Sequence, residues 1–352
     1  MLFNIKNLAP NIKFIGLITA TWVTLFTRIS PTNLSYDRGI FISVAERLNA
    51  GDKLYLDVWD NKDPLFYYVI ALGRSISPLL DIFIELMWLG IAGLGVWYLS
   101  SHFGFTRTYA GVVSFVLTPI VITGASYLPG YSHLPGTALC LMSVGLASKN
   151  RYWSSGVALG LLIFTKITTF PVALLACLTL IFLTKTKKIF IFILGALAAS
   201  TAMVLILNSR GELLPYVNSL ISNFHYSGNA VLLDSRFPPF ISHLALTLSP
   251  LMLCCLVALT LLLALPLLFS GIRKKITETK IARDFWILSC VTYIASLLIL
   301  GFTGLWWHHA QLLYVPACIF LPVVVFLLGS YAPTKAITYG LVVAVILNTG
   351  GL

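Results

Sequence analysis

Long apolar runs recur along almost the whole chain, near residues 14–30, 82–101, 108–125, 136–148, 153–168, 169–184, 189–207, 243–270, 285–303, 311–330 and 336–350. A helix needs about 20 apolar residues to cross the hydrocarbon core of a bilayer, and only helices or closed barrels satisfy their backbone groups there. The chain is therefore expected to be all-α: a polytopic transmembrane helical bundle of about eleven spans, forming one domain over residues 1–352. The runs between 136 and 184 are short, so the count carries a margin of one or two spans. Composition agrees, with 58% hydrophobic and only 10% charged residues.

The first run follows Lys6 and Lys13 and lacks a small-residue cleavage site, which reads as a signal anchor and not a removable leader. All six cysteines (Cys140, Cys177, Cys254, Cys255, Cys290 and Cys318) lie inside apolar runs, where they serve packing better than disulfides. No metal-type spacing appears, and neither does a phosphate-cradling glycine loop or a zinc-protease motif.

The net charge of +11 would suggest nucleic acid in a soluble protein, whereas here its distribution across the bilayer gives it meaning. The segment Pro64–Leu80 is apolar enough to span but carries Arg74. If it lies on the outer surface, 14 of the 23 Lys and Arg residues fall in inner loops, among them Lys185–Lys188 and Arg273–Arg283, with only Glu278 and Asp284 as inner acids. A true crossing would invert every later loop against the positive-inside tendency. The expected orientation thus has a cytoplasmic N-terminus, a first outer loop over residues 31–81 and a second, ordered one over residues 208–242.

The stretch from Ser35 to Pro64 holds six of the twelve acidic residues. Within it Ile40, Phe41, Val44, Ala45 and Leu48 share one helical face, Gly51 supplies a stop, and Asp63 can cap a helix that begins with Pro64. Two amphipathic juxtamembrane helices are expected on the outer leaflet.

Several residues carry candidate chemistry, each beside a plainer reading. Asp37, flanked by Tyr36 and Arg38, could act as a general base at the membrane surface or simply stabilise a helix start. Lys62 could neutralise a leaving phosphate or snorkel to headgroups. Lys166 lies in an apolar run, where a lysine costs about 2.5–3.5 kcal/mol and faces protein, water or a bound anion. The run Trp306-Trp307-His308-His309-Ala310-Gln311 suits a phosphate or sugar contact, or an interfacial aromatic belt. Adjacent histidines point about 100° apart on a helix, which disfavours chelation. His133 follows Tyr131 and Ser132 in the remaining polar segment.

The ordered set of Asp37, Gly51-Asp52-Lys53-Leu54-Tyr55 and Asn61-Lys62-Asp63-Pro64-Leu65-Phe66 resembles the first periplasmic loop of GT-C class membrane glycosyltransferases. The similarity is strongest to bacterial protein O-mannosyltransferase-like and lipid A aminoarabinose transferase-like proteins. Leu162–Lys166 looks like the lysine-ended helix of that family, and His309–Pro316 looks like its His-Tyr…Pro element. The resemblance implies a GT-C-like fold in a bacterial inner or plasma membrane, with the site on the outer face. It also implies a polyprenyl-phosphate sugar donor and a glycan, lipid or protein acceptor. Asp37 would be the catalytic base, Lys62 and Lys166 would approach the donor phosphate, and His308, His309 and Gln311 would line its lipid side. Arg38, Tyr55, Asp63, His133 and Arg236 complete the expected substrate-binding set.

Two departures stand out: Asp63 replaces the first proline of the family's Lys-Pro-Pro, and Tyr131-Ser132-His133 occupies the place of a second acid. No cofactor is assigned, and a divalent metal stays open. No soluble C-terminal domain is expected. The rival reading is a transporter or flippase of lipid-linked saccharides, in which the same cations bind but no bond is broken.

Overall fold

A computed structural model describes residues 8–29, 36–123, 129–232, most of 260–302, and 311–329. Every regular element among these residues is helical, and the isolated bridge between Leu54 and Val58 lies in a turn. Among the described residues three helices, Leu80–Phe103, Ile189–Ser209 and Lys280–Leu300, are long and apolar enough to cross a membrane. Six shorter apolar helices accompany them, over 15–27, 107–122, 133–148, 152–163, 167–183 and 311–326. The expected run at 336–350, and 243–270 up to residue 259, lie outside the described residues.

The chain begins with α1 (Leu8–Ile29), followed by two short helices, α2 (Tyr36–Asn49) and α3 (Pro64–Ile76). Gly51, with φ of +105°, ends α2 in a backbone conformation that glycine adopts without strain. α4 (Leu80–Ser100) starts after Pro78.

The run near 108–125 is not one regular helix. It forms α5 (Arg107–Val112), a π-helical turn (Val113–Leu117) and α6 (Thr118–Ile122). Pro119 has no N–H to offer the Phe115 carbonyl four residues back, and the indole Nε1–H of Trp22 on α1 donates to that carbonyl instead, at 3.0 Å. The proline thus frees an acceptor that docks the first helix.

Further along lie α7 (His133–Ser148), α8 (Tyr152–Ile163), α9 (Phe170–Leu183), α10 (Ile189–Ser209) and α11 (Leu213–Leu232). They are followed by α12 (Ser270–Glu278), α13 (Lys280–Phe302) and α14 (Tyr314–Gly329). Small residues set the tightest crossings. A Cβ on Gly95 of α4 would lie 2.5 Å from the Leu141 carbonyl oxygen of α7, and one on Gly145 would strike the Gly95 backbone. Gly156 and Gly160 of α8 meet the α10 backbone in the same way.

Two buried clusters result. The larger runs through the bundle and includes Leu89, Val96, Leu141, Val144, Leu162 and Ile319. The smaller gathers Phe41, Leu54, Tyr67, Phe164, Leu207 and Tyr216, so it joins α2, the 51–63 turn and α3 to the ends of α8 and α10 and the start of α11.

Candidate functional site

The smaller cluster supports a group of polar side chains. Asp37 lies in the first turn of α2, half-buried, inside the helix and not ahead of it as a cap. Its Oδ2 accepts the phenol hydroxyl of Tyr131. The Tyr131 ring packs edge-on against Phe41 at 5.4 Å and 85°, and on Phe41 also rests the Lys62 ammonium, 5.3 Å from the ring centroid. One buried phenylalanine therefore separates the carboxylate partner from the cation. Lys62 Nζ also donates to the Asn61 side chain, and its carbonyl accepts the Tyr55 hydroxyl at 2.6 Å.

Asp63 was expected to cap α3 and touch substrate. It makes no side-chain cap bond, and both its oxygens are engaged elsewhere in the protein. Oδ2 takes the Ile167 amide at 3.0 Å, and Oδ1 takes the Tyr216 hydroxyl at 2.9 Å. The Leu65 amide, one of those the cap would have served, donates instead to the Phe164 carbonyl at 2.8 Å. These reciprocal bonds clasp residues 63–65 to residues 164–167. Where the resemblance would place the first proline of Lys-Pro-Pro, this chain places an anchor. Burial pushes the Asp63 carboxyl above the usual carboxylate pKa, against the pull of the Ile167 amide, Lys166, Tyr216 and Lys62.

Lys166 lies inside the clasp. It is 8% exposed and sits in the connector after α8, not at the end of a continuous helix. Its side chain lies against Gly136 of α7, where an added Cβ would come within 2.7 Å of the lysine Cβ. Burial and the neighbouring Lys62 charge push the Lys166 amine down to about 7, against the pull of Asp63, so the clasp gathers two amines around one carboxyl group.

Arg38 is buried beside a cavity of about 30 Å³ that is lined by Phe41, Phe66, Glu85, Trp88 and Pro135, with room for about two waters. Its Nη1 lies 3.5 Å from the Ile29 carbonyl. His133 is buried at the start of α7, two residues from Tyr131. Gln311 is buried in the turn before α14, next to Leu312, whose carbonyl accepts the Ser296 hydroxyl at 3.1 Å. Arg236, His308 and His309 lie outside the described residues.

Four residues the sequence did not mark as site members are built into this end of the bundle. Tyr131 and Tyr216 hold Asp37 and Asp63. Glu85, buried on α4, accepts the Gly130 amide at 2.7 Å. Glu212 is fully buried and accepts the Leu54 amide at 3.1 Å together with the Tyr68 hydroxyl. An acid within a largely apolar helix is the signal that could have singled out Glu85. Among the described residues no group of three His, Cys, Asp or Glu side chains is arranged to hold a metal ion.

Arg74, the charge that made α3 ambiguous, is accounted for by pairing. It binds Asp81 of α4 at 2.7 Å and also Glu46 of α2, so one guanidinium fastens both short helices to the bundle. Comparison with known proteins adds no relative to this picture: no protein family model, no curated protein and no solved structure matches the chain.

Proposed function

We propose that the chain is a membrane glycosyltransferase that moves a sugar from a polyprenyl-phosphate donor to an acceptor hydroxyl at the outer face of the bilayer. In this reading the fold is GT-C-like, with about eleven spans expected from the apolar runs, a cytoplasmic N-terminus, and α2 and α3 on the outer leaflet. The observation that carries the reading is that Tyr131, which holds Asp37, and Lys62 both rest on the Phe41 ring, while Lys166, about 130 residues from Asp37 in sequence, lies within reach of Lys62 at the Asp63 clasp. A half-buried carboxylate and two amines at one end of the bundle suit a reaction in which one group takes a proton and a phosphate departs.

The acceptor hydroxyl gives its proton to Asp37, with Oδ2 fixed by Tyr131 and Oδ1 turned to the acceptor. The acceptor oxygen forms the new bond to the anomeric carbon as the bond from that carbon to the phosphate oxygen breaks, and the electron pair leaves with the phosphate. Lys62 and Lys166 neutralise the charge that gathers on it.

The test compares lipid-linked sugars and envelope glycans by mass spectrometry in cells carrying wild type, Asp37→Asn, or no protein. Loss of a positioned general base is expected to lower transfer by about 10²- to 10⁴-fold in a variant that still folds. Full transfer by folded Asp37→Asn would remove the proposal. Purified protein that moves labelled lipid between leaflets with its headgroup unchanged would make it a transporter.

A further inference from the structure

We infer that Glu212, at the start of α11, is a positioning residue for Lys62, and that α11 and the 51–63 turn act as one unit. The inference rests on the glycosyltransferase reading only for what Lys62 does, not for where Lys62 is held.

Glu212 is 150 residues from Lys62 in sequence, yet its carboxylate reaches the turn directly. It is 0% exposed and takes the Leu54 amide at 3.1 Å, the Arg210 guanidinium at 2.9 Å and the Tyr68 hydroxyl. One helical turn later Tyr216 bonds Asp63 at 2.9 Å and sets its ring against Tyr55 with centroids 5.3 Å apart. The first turn of α11 thus grips the 51–63 turn near its start, at Leu54 and Tyr55, and at its end, at Asp63.

One residue of the first grip is held under strain. Tyr55 has φ of +67°, a left-handed conformation that a bulky side chain adopts only when its surroundings insist. Its amide donates to Val58 at 2.7 Å and its hydroxyl to the Lys62 carbonyl at 2.6 Å. Without the Glu212 carboxylate the buried Leu54 amide has no acceptor, the support for the Tyr55 conformation goes, and the Lys62 backbone loses the phenol that fixes it. The effect on Lys62 is one of placement, since Glu212 bonds Leu54, Tyr68 and Arg210 while the Lys62 ammonium lies over Phe41.

The experiment uses the full chain in lipid nanodiscs, as wild type, Glu212→Ala, Glu212→Gln and Tyr216→Phe. Acylation of Lys62 by limiting acetic anhydride is measured by mass spectrometry relative to Lys53, an exposed amine in the same turn. In parallel, the Kd for undecaprenyl phosphate is measured. Glu212→Ala is expected to raise the Lys62-to-Lys53 ratio severalfold and weaken binding about tenfold, as for one lost charge-assisted contact. Glu212→Gln, which keeps an oxygen for the Leu54 amide, is expected to restore most of the wild-type ratio. A merely structural role would lower stability in all variants without separating Gln from Ala. An unchanged ratio in folded Glu212→Ala overturns the inference. If that variant does not fold, Tyr216→Phe decides, because it removes one hydrogen bond and keeps the ring, and an unchanged ratio there overturns the inference equally. Absence of wild-type binding to undecaprenyl phosphate, with the ratio still shifting, would end the donor reading and leave the positioning role standing.

Discussion

The polar end of the bundle and its apolar middle share helices yet hold together by opposite means. In the middle, α4 crosses α7 and α8 crosses α10 with backbones nearly touching, because glycines stand at the crossings. At the polar end the 51–63 turn and α3 are tied by carboxylates and phenols to the connector after α8 and to α11. Packing of the first kind is insensitive to charge and intolerant of volume, since a carbonyl oxygen cannot move aside for a methyl group. Bonding of the second kind tolerates volume but fails when a partner is removed, because the other is left buried and unpaired. A reaction site needs the second kind, where side chains are fixed in direction as well as in place.

This contrast can be broken at either end, with stability followed by chemical denaturation in detergent micelles. The largest expected effect is for Arg74→Ala, which strands Asp81, whose side chain is 11% exposed, and unfastens α2 and α3 together. Breaking such a buried pair costs about 3–5 kcal/mol. A loss below about 1 kcal/mol would mean that the pair is solvated and that α3 is held by apolar contacts alone. Next comes Gly145→Val, whose added carbons meet the Gly95 backbone and are expected to cost about 1–3 kcal/mol by overpacking. Wild-type stability there would show that α4 and α7 can part without penalty, and the distinction between the two ends would lose its basis. Glu46→Ala sharpens the comparison with the smallest change. Glu46 is the more exposed of the two Arg74 partners, with its side chain 57% exposed, so a loss of about 0.2–1 kcal/mol is expected. A double-mutant cycle with Asp81→Ala would then assign the remaining coupling to the buried partner.

Much of the polar end was legible from residue order. The apolar face of Phe41, Val44, Ala45 and Leu48 gave α2, and Pro64 gave the start of α3. Lys166 was marked because a lysine in an apolar run needs a reason, and Lys62 because a cation at the membrane surface can neutralise a leaving phosphate. The segment after Asn208, expected to be an ordered loop, is a helix from Leu213 to Leu232. Its period lies in buried Glu212, Tyr216 and Ser219 against exposed Leu214, Val217 and Ile221, a pattern that a glutamate and a proline among apolar residues disguise. Asp63 was read as a cap because local spacing allows one, and its true partners lie 104 and 153 residues away.

The sequence alone determined that most of the described elements are helices, that several are apolar enough to seek a bilayer, and that charge gathers between them. Those properties follow from local periodicity and transfer energy, which each segment carries by itself. Only the tertiary structure decided that Asp37 meets Tyr131, that Asp63 anchors a connector, and that Glu212 takes the Leu54 amide. A hydrogen bond needs direction and a distance of about 3 Å, and neither exists between distant residues until the packing of whole helices has brought their ends together.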